Sequence, residues 1–166
     1  MTTTAVRPYR PADHAAGRRL WGELADQRRS LYPGGGGPDV GDFEEYLTRL
    51  DLSGMWVAEH PEHGVVGLVG LILDGRSGRI EPVVVAGQAR GIGIGRALLA
   101  HVADQARRRG MRRLTVTPDA RNLDALRCLH GAGYDRLSAV ELTLDLAGRT
   151  EDRRTELELH GLRFRA

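Results

Sequence analysis

A glycine-rich connection between a strand and a helix constrains this chain more than any other stretch. Val83-Val84-Val85 is a β-branched run, Ala97-Leu98-Leu99 begins a helical one, and between them lies Arg90-Gly-Ile-Gly-Ile-Gly-Arg96. Glycines at alternate positions leave the backbone N–H groups without side-chain cover, where a helix N-terminus concentrates positive potential. Donors arranged in this way form a concave nest for phosphate oxygens. A simple turn needs one or two glycines, so the alternation of Gly91, Gly93 and Gly95 points to anion binding.

Two common phosphate loops do not fit. A dinucleotide fingerprint needs its third glycine three residues after the second, whereas Gly95 follows Gly93 by two; the next apolar run, Leu114-Thr-Val-Thr117, also lacks the acidic residue that would hold a ribose. A P-loop needs Gly-Lys-Ser/Thr, and the chain contains no lysine.

The remaining pattern predicts a mixed fold. A short strand over Thr3 to Arg10 leads into a helix opened by Pro11-Ala-Asp13 and running to about Leu31, with Leu20, Trp21 and Leu24 on one face. Tyr32 to Pro38, with four consecutive glycines, reads as a mobile loop, and Asp39 to Leu50 as a second helix. Met55 to Glu59 and Val65 to Leu73 read as strands of an antiparallel meander, continued by Ile80 to Val85. A long helix from Gly93 to Arg109 ends at Gly110, followed by a strand at Leu114 to Thr117 and a helix at Asn122 to Leu129. Ala139 to Leu146 and Glu156 to Phe164 are expected to be closing strands. The order specifies an α/β (α+β) sandwich with a largely antiparallel sheet and about four helices. Pro82 has no N–H for a ladder, so the strand carrying it is expected to bulge and splay from a neighbour.

At 166 residues the chain is expected to form a single domain over 1–166. Arginine supplies the basic charge, but acids are interleaved throughout and the net charge is only +2, so nucleic acid is not expected as a partner. A single cysteine, Cys128, argues against an internal disulfide or multi-cysteine zinc site, and the scattered histidines give no paired ligand spacing, so no metal is expected. The lack of a long apolar run argues against a membrane association, and a cytoplasmic protein is the expectation.

Arg90-x-x-Gly93-x-Gly95, followed at once by Arg96-Ala-Leu-Leu99 and later by Asn122 and the Gly133-Tyr134 pair, resembles the GNAT superfamily of N-acetyltransferases. That family's loop reads Gln/Arg-x-x-Gly-x-Gly/Ala; Gln88-x-x-Gly91-x-Gly93 matches it in a second register. The resemblance implies a GNAT-like central sheet splayed between its fourth and fifth strands, with helices on both faces. It further implies that acetyl-CoA is bound, its pantetheine arm added like a strand along Val83, Val84 and Val85. Its pyrophosphate would sit on the amides of Arg90, Gly91, Ile92, Gly93, Ile94, Gly95 and Arg96. Asn122 would stand close to the pantetheine, although asparagine there equally suits a helix N-cap.

Acetyl transfer requires a neutral amine, so a carboxylate near the slot is needed to take its proton. Glu81 is the leading candidate; Glu59 is the alternative. Strand alternation places Arg79, Glu81, Val83 and Val85 on one face unless a bulge at Pro82 alters the parity. The family's usual tyrosine, seven residues after the asparagine, is replaced by Leu129, which has no proton to give to a leaving thiolate. The expected function is therefore acyl-CoA-dependent N-acyl transfer to a primary amine by direct attack on the thioester. The other reading is a non-catalytic acyl-CoA-binding or sensing module. The acceptor, whether a small-molecule or a peptide amine, is left open, as is a homodimer paired through the C-terminal strands.

Overall fold

The computed structural model describes residues 4–35, 37, 39–50, 54–144, 146 and 156–166. They fall into two compact units, Met1–Thr117 and Pro118–Ala166. Among the described residues no helix is long and apolar enough to cross a membrane.

The first unit is built on a five-stranded sheet of order β1-β2-β3-β4-β5, with β1 at Ala5–Pro8, β2 at Met55–His60, β3 at Gly64–Asp74, β4 at Ser77–Val85 and β5 at Arg113–Val116. All neighbouring pairs are antiparallel except β4 and β5, which run parallel and are joined through α3, Ile94–Arg108. The helices α1, His14–Leu31, and α2, Phe43–Arg49, precede the meander.

The two faces of the sheet can be read from two glycines of β3. A Cβ on Gly67 would lie 2.9 Å from Leu98 and 3.2 Å from Ile94, so that face carries α3. Gly70, an odd number of residues along and hence on the opposite face, is covered by the Tyr46 hydroxyl of α2. Trp21 of α1 lies 4.7 Å from the Tyr46 ring and 5.6 Å from Phe43, which places α1 beside α2. Leu20, Phe43, Tyr46, Leu68 and Leu98 are almost wholly buried in the resulting layers. Asp42 stops α2 from beginning at Asp39 as the sequence suggests: extended at the N-cap, it accepts from the Glu44 N–H at 3.2 Å.

At the sheet edge, Arg7 clamps Asp13 through two bonds of 2.8 and 2.9 Å and reaches Glu59 at 2.6 Å. Asp13, only 6% exposed, also accepts the Arg10 N–H, so its buried charge is fully met. The Arg7 hydrogen bonds hold the Asp13 carboxyl below its ordinary value of 3.8. Because the folded-state value is depressed, this stabilisation is complete above pH 3.8 and is lost as pH falls through the lower folded value. Asp13→Asn is expected to cost about 2 kcal/mol at neutral pH. In urea melts the gap to wild type should shrink in strong acid; a gap independent of pH would refute the ion pair as its source.

The second unit contains α4, Leu123–Gly131, and the hairpin of β6, Glu156–Leu159, with β7, Leu162–Arg165. The expected single strand over Glu156 to Phe164 is divided because His160 and Gly161 both have positive φ, 52° and 78°, the signature of a two-residue hairpin turn. The strand expected at Ala139 to Leu146 does not form in the described residues there. Its alternation is strand-like, but a strand also needs an edge to pair with. The beginning of the first expected strand, at Thr3, lies outside the described residues, as do Gly36 and Pro38 of the glycine loop.

Candidate functional site

The site is organised by the parting of β4 from β5. Their ladder holds only from Ser77↔Arg113 to Ile80↔Val116, after which β4 continues alone through Val85. The change coincides with a bulge. Leu71 pairs with Ile80 and Val69 with Val83, so Gly70 alone faces Glu81 and Pro82. The Glu81–Pro82 peptide is cis.

The bulge overturns one sequence expectation. Residues opposite each other in an antiparallel ladder share a face, so Val83 lies on the face of Val69, and Val85 on that of Gly67, where α3 packs. Glu81 stays on the side of Arg79, with which it forms a 3.2 Å ion pair. The four residues therefore do not share one face: an extra residue in β4 reverses the alternation beyond Pro82.

The open edge can be assigned in the same way. The Ala86 N–H donates to Val66 O of β3 at 2.8 Å, so Ala86 and, two residues back, Val84 direct their backbone groups at β3. Val83 and Val85 then direct theirs to the side that β5 has left. Of the three valines expected to pair with an added strand, Val83 and Val85 can do so and Val84 cannot. The Val85 carbonyl is already engaged, accepting from Arg90 Nε at 3.0 Å. Glu81 O accepts from the buried Tyr46 hydroxyl, which fixes the bulge.

Beyond Val85 a short turn, Gly87–Ala89, leads to the glycine loop. Gly91 and Gly93 have φ of 81° and 91°, values that glycine adopts without penalty, and nothing lies within 4 Å of where their Cβ atoms would be. The first bond closing α3 runs from Ala97 N–H to Gly93 O at 3.0 Å. The N–H groups of Ile94, Gly95 and Arg96 precede it and have no acceptor within the helix. Ile92, 66% exposed, points away into solvent, while Ile94 is buried and anchors the helix start. The result is a bare amide cluster at the end of a 15-residue helix, beside an open strand edge. Such a helix start is receptive to phosphate oxygens, and the neighbouring edge to an extended chain with amide groups.

The sequence offered no sign of Glu23. From α1 its Oε2 accepts the Gly87 N–H at 2.8 Å, tying the loop entrance to a helix 64 residues away in sequence. Nor did it show that Glu59 is committed to Arg7, whose hydrogen bond holds that carboxyl below its ordinary value and makes it a poorer proton acceptor than an unpaired glutamate. Of the acidic residues around the start of α2, Asp42 caps the helix, and Glu44 pairs with Arg18 and with His14 at 3.2 Å. A proton shared with the neighbouring Asp42 carboxyl, and then the Arg18 hydrogen bond, bring the Glu44 pKa down to about 2.

In the second unit, Asn122 caps α4 by accepting the Ala125 N–H at 3.1 Å. Gly133 and Tyr134 close the same helix, their N–H groups donating to His130 O and Leu129 O at 3.0 Å each. Leu129 is 5% exposed and His130 exposed, and Cys128 is a free, half-buried thiol. The β2–β3 turn, for which no metal was expected, brings donor atoms of His60, Glu62 and His63 within 4.8 Å of one another. His60 Nδ1, however, accepts the Glu62 N–H at 3.2 Å, so its ring is tied into the turn.

Residues 18–134 match the sequence model of the acetyltransferase (GNAT) family. Comparison with curated proteins gives no match. Among solved structures, a ribosomal-protein-alanine N-acetyltransferase from Brucella melitensis is 26% identical, with a TM-score of 0.62 over 78% of this chain and 83% of that one. Rv2747 from Mycobacterium tuberculosis, solved in complex with CoA, is 26% identical with a TM-score of 0.52, covering 74% of this chain and 69% of that one. N-acetylglutamate synthase from Neisseria gonorrhoeae, complexed with coenzyme A and N-acetyl-glutamate, is 25% identical with a TM-score of 0.59 over 76% of this chain. This chain spans only 28% of that protein's length.

Proposed function

The chain belongs to the GNAT acetyltransferase family, and we propose from that premise that it transfers an acyl group, most simply acetyl, from acyl-CoA to a primary amine. The observation that carries this reading is the bare amide cluster beside the unpaired edge of Val83 and Val85. The amides from Gly91 to Arg96 would hold the pyrophosphate, and the edge groups of Val83 and Val85 the pantetheine amides. When bound, acyl-CoA supplies the activated thioester; the protein positions it and manages charge and protons.

A free edge N–H at Val83 or Val85 would donate to the thioester oxygen as negative charge develops there. Glu81 accepts the proton of the attacking amine, directly or through water. It is 38% exposed in its side chain, and its pairing with Arg79 is a surface interaction of little strength, which an incoming ammonium group can displace. The CoA sulfur leaves as a thiolate, and with leucine at position 129 its proton comes from solvent. The acceptor is an amine of a small molecule or a peptide.

Glu81→Gln tests the chemistry. The substitution is expected to lower kcat by about 100-fold and flatten the acid limb of the pH–rate profile, with CoA affinity nearly unchanged. An unaltered pH–rate profile removes Glu81 from the mechanism. The buried Leu129, which has no proton to give, favours a second reading, a module that binds acyl-CoA without turnover. Thiol release across a panel of amines separates the two: CoA binding with no release for any amine supports the sensor.

A further inference from the structure

At the end of the sheet away from the glycine loop, the β3–β4 turn and the α3–β5 connection enclose a cavity of about 700 Å³. Its wall carries Arg76, Arg109 and Arg112 with Leu73 and Met111, and no acidic residue. We propose that this cavity binds a small polyanion built of adjoining phosphoryl groups.

The arginines converge there because of the fold. Arg76 sits in the β3–β4 turn and Arg112 just before β5, and the Arg112 N–H donates to Arg76 O at 2.9 Å, holding the two segments together. Neither guanidinium has a hydrogen-bond or ion-pair partner among the described residues. Two arginines without such a partner line the same concave surface, and a guanidinium's planar fork fits phosphoryl oxygens in pairs.

Helix capping does not account for this charge. Two of the last carbonyls of α3 are met by backbone donors, not by these arginines: Gly110 N–H reaches Arg107 O at 3.0 Å, and Met111 N–H reaches Ala106 O at 3.0 Å. Asp74, between the lining residues Leu73 and Gly75, forms no ion pair with these arginines among the described residues, and Asp104 is taken by Arg107 at 2.7 Å. The volume lies within the range of small-molecule sites, and a concave wall fits a compact ligand better than a long nucleic-acid backbone. Leu73, 54% exposed, leaves apolar surface for an organic part of the ligand. The eight strand steps from Ser77 to Val85 separate this cavity from the glycine loop by roughly 26 Å, so one CoA pyrophosphate cannot occupy both.

Calorimetric titration of the full chain with sodium tripolyphosphate, in the presence and absence of saturating CoA, tests the proposal. Expected is one equivalent, weakening with added salt, that stays bound when saturating CoA fills the glycine loop; without CoA the loop itself offers a second site. In the double variant Arg76→Gln/Arg112→Gln the affinity with CoA present should fall at least 10-fold while CoA still binds as in wild type. A parallel ATP titration identifies the source of the phosphoryl chain: equal affinity indicates an inorganic chain, and tighter ATP binding indicates a nucleotide contacting Leu73 and Met111. No saturable binding by wild type at millimolar concentration, complete displacement by CoA, or undiminished binding by the double variant with CoA present would each overturn the assignment. The first two arms need only the wild-type protein, so a variant that fails to fold leaves the test intact.

Discussion

Gly93→Asp is expected to eliminate measurable CoA binding, a loss of at least 100-fold, while leaving the fold nearly as stable as wild type. Gly93 is the N-cap of α3, and aspartate is among the best residues at that position, so the helix itself should not suffer. The φ of 91° costs aspartate about 1–2 kcal/mol, partly offset by the bond its carboxylate can make to the following N–H groups. Those N–H groups are the ones assigned to the pyrophosphate. A carboxylate there takes the donors and adds a negative charge against a diphosphate. Gly93→Ala separates the two effects, because nothing crowds its Cβ and it brings no charge; a loss of about 10-fold is expected from backbone strain alone. Calorimetry with CoA and a thermal melt read both quantities. CoA affinity within tenfold of wild type for the aspartate variant would mean the amide cluster does not hold the pyrophosphate.

Gly70→Ala is expected to have the largest effect on stability. A methyl group there would fall well inside van der Waals contact with the Tyr46 hydroxyl and with Glu81 O, and Glu81 O belongs to the backbone, which cannot rotate aside. Moving Tyr46 breaks its hydrogen bond to that carbonyl and leaves a hydroxyl buried without a partner. Overpacking and the lost bond together should cost about 3 kcal/mol or more, or roughly 10 °C in Tm. Because the same contact seats the bulge at Glu81 and Pro82, the fraction that stays folded should also turn over more slowly. A Tm within 2 °C of wild type would show that β4 can shift without penalty, and the bulge would lose its role in placing Glu81.

Parts of the fold that depend on short-range pattern were legible in the chain. The apolar stripe of α1, the strands of the meander and the cap at Gly110 follow from spacing a few residues long. The bare backbone of the glycine loop could be read because glycine is how a sequence records exposed backbone. The splay was legible through Pro82, whose missing N–H is a local fact with a distant consequence. Glu81 emerged by type and position, although its partner Arg79 and the hydroxyl that seats it from α2 did not.

Other features had no local trace. Which valines present their backbone to the open edge depends on the register with β3, and one extra residue opposite Gly70 reverses the answer. The commitment of Glu59 to Arg7, the hold of Glu23 on the loop, and the gathering of Arg76 with Arg112 each join segments far apart in the chain. The Ala139 to Leu146 alternation shows the converse. A pattern states which faces of a strand would differ, but the strand requires a neighbour to supply half of every ladder bond.

From its order of residues alone, then, the protein had most of its elements and its bare amides, since each rests on covalent geometry or on short-range pattern. Tertiary structure decided which backbone groups face the open edge of β4, which partner each carboxylate takes, and which arginines line one cavity. Those are relations between segments, set by register and packing, and they exist only once distant parts of the chain are brought into contact.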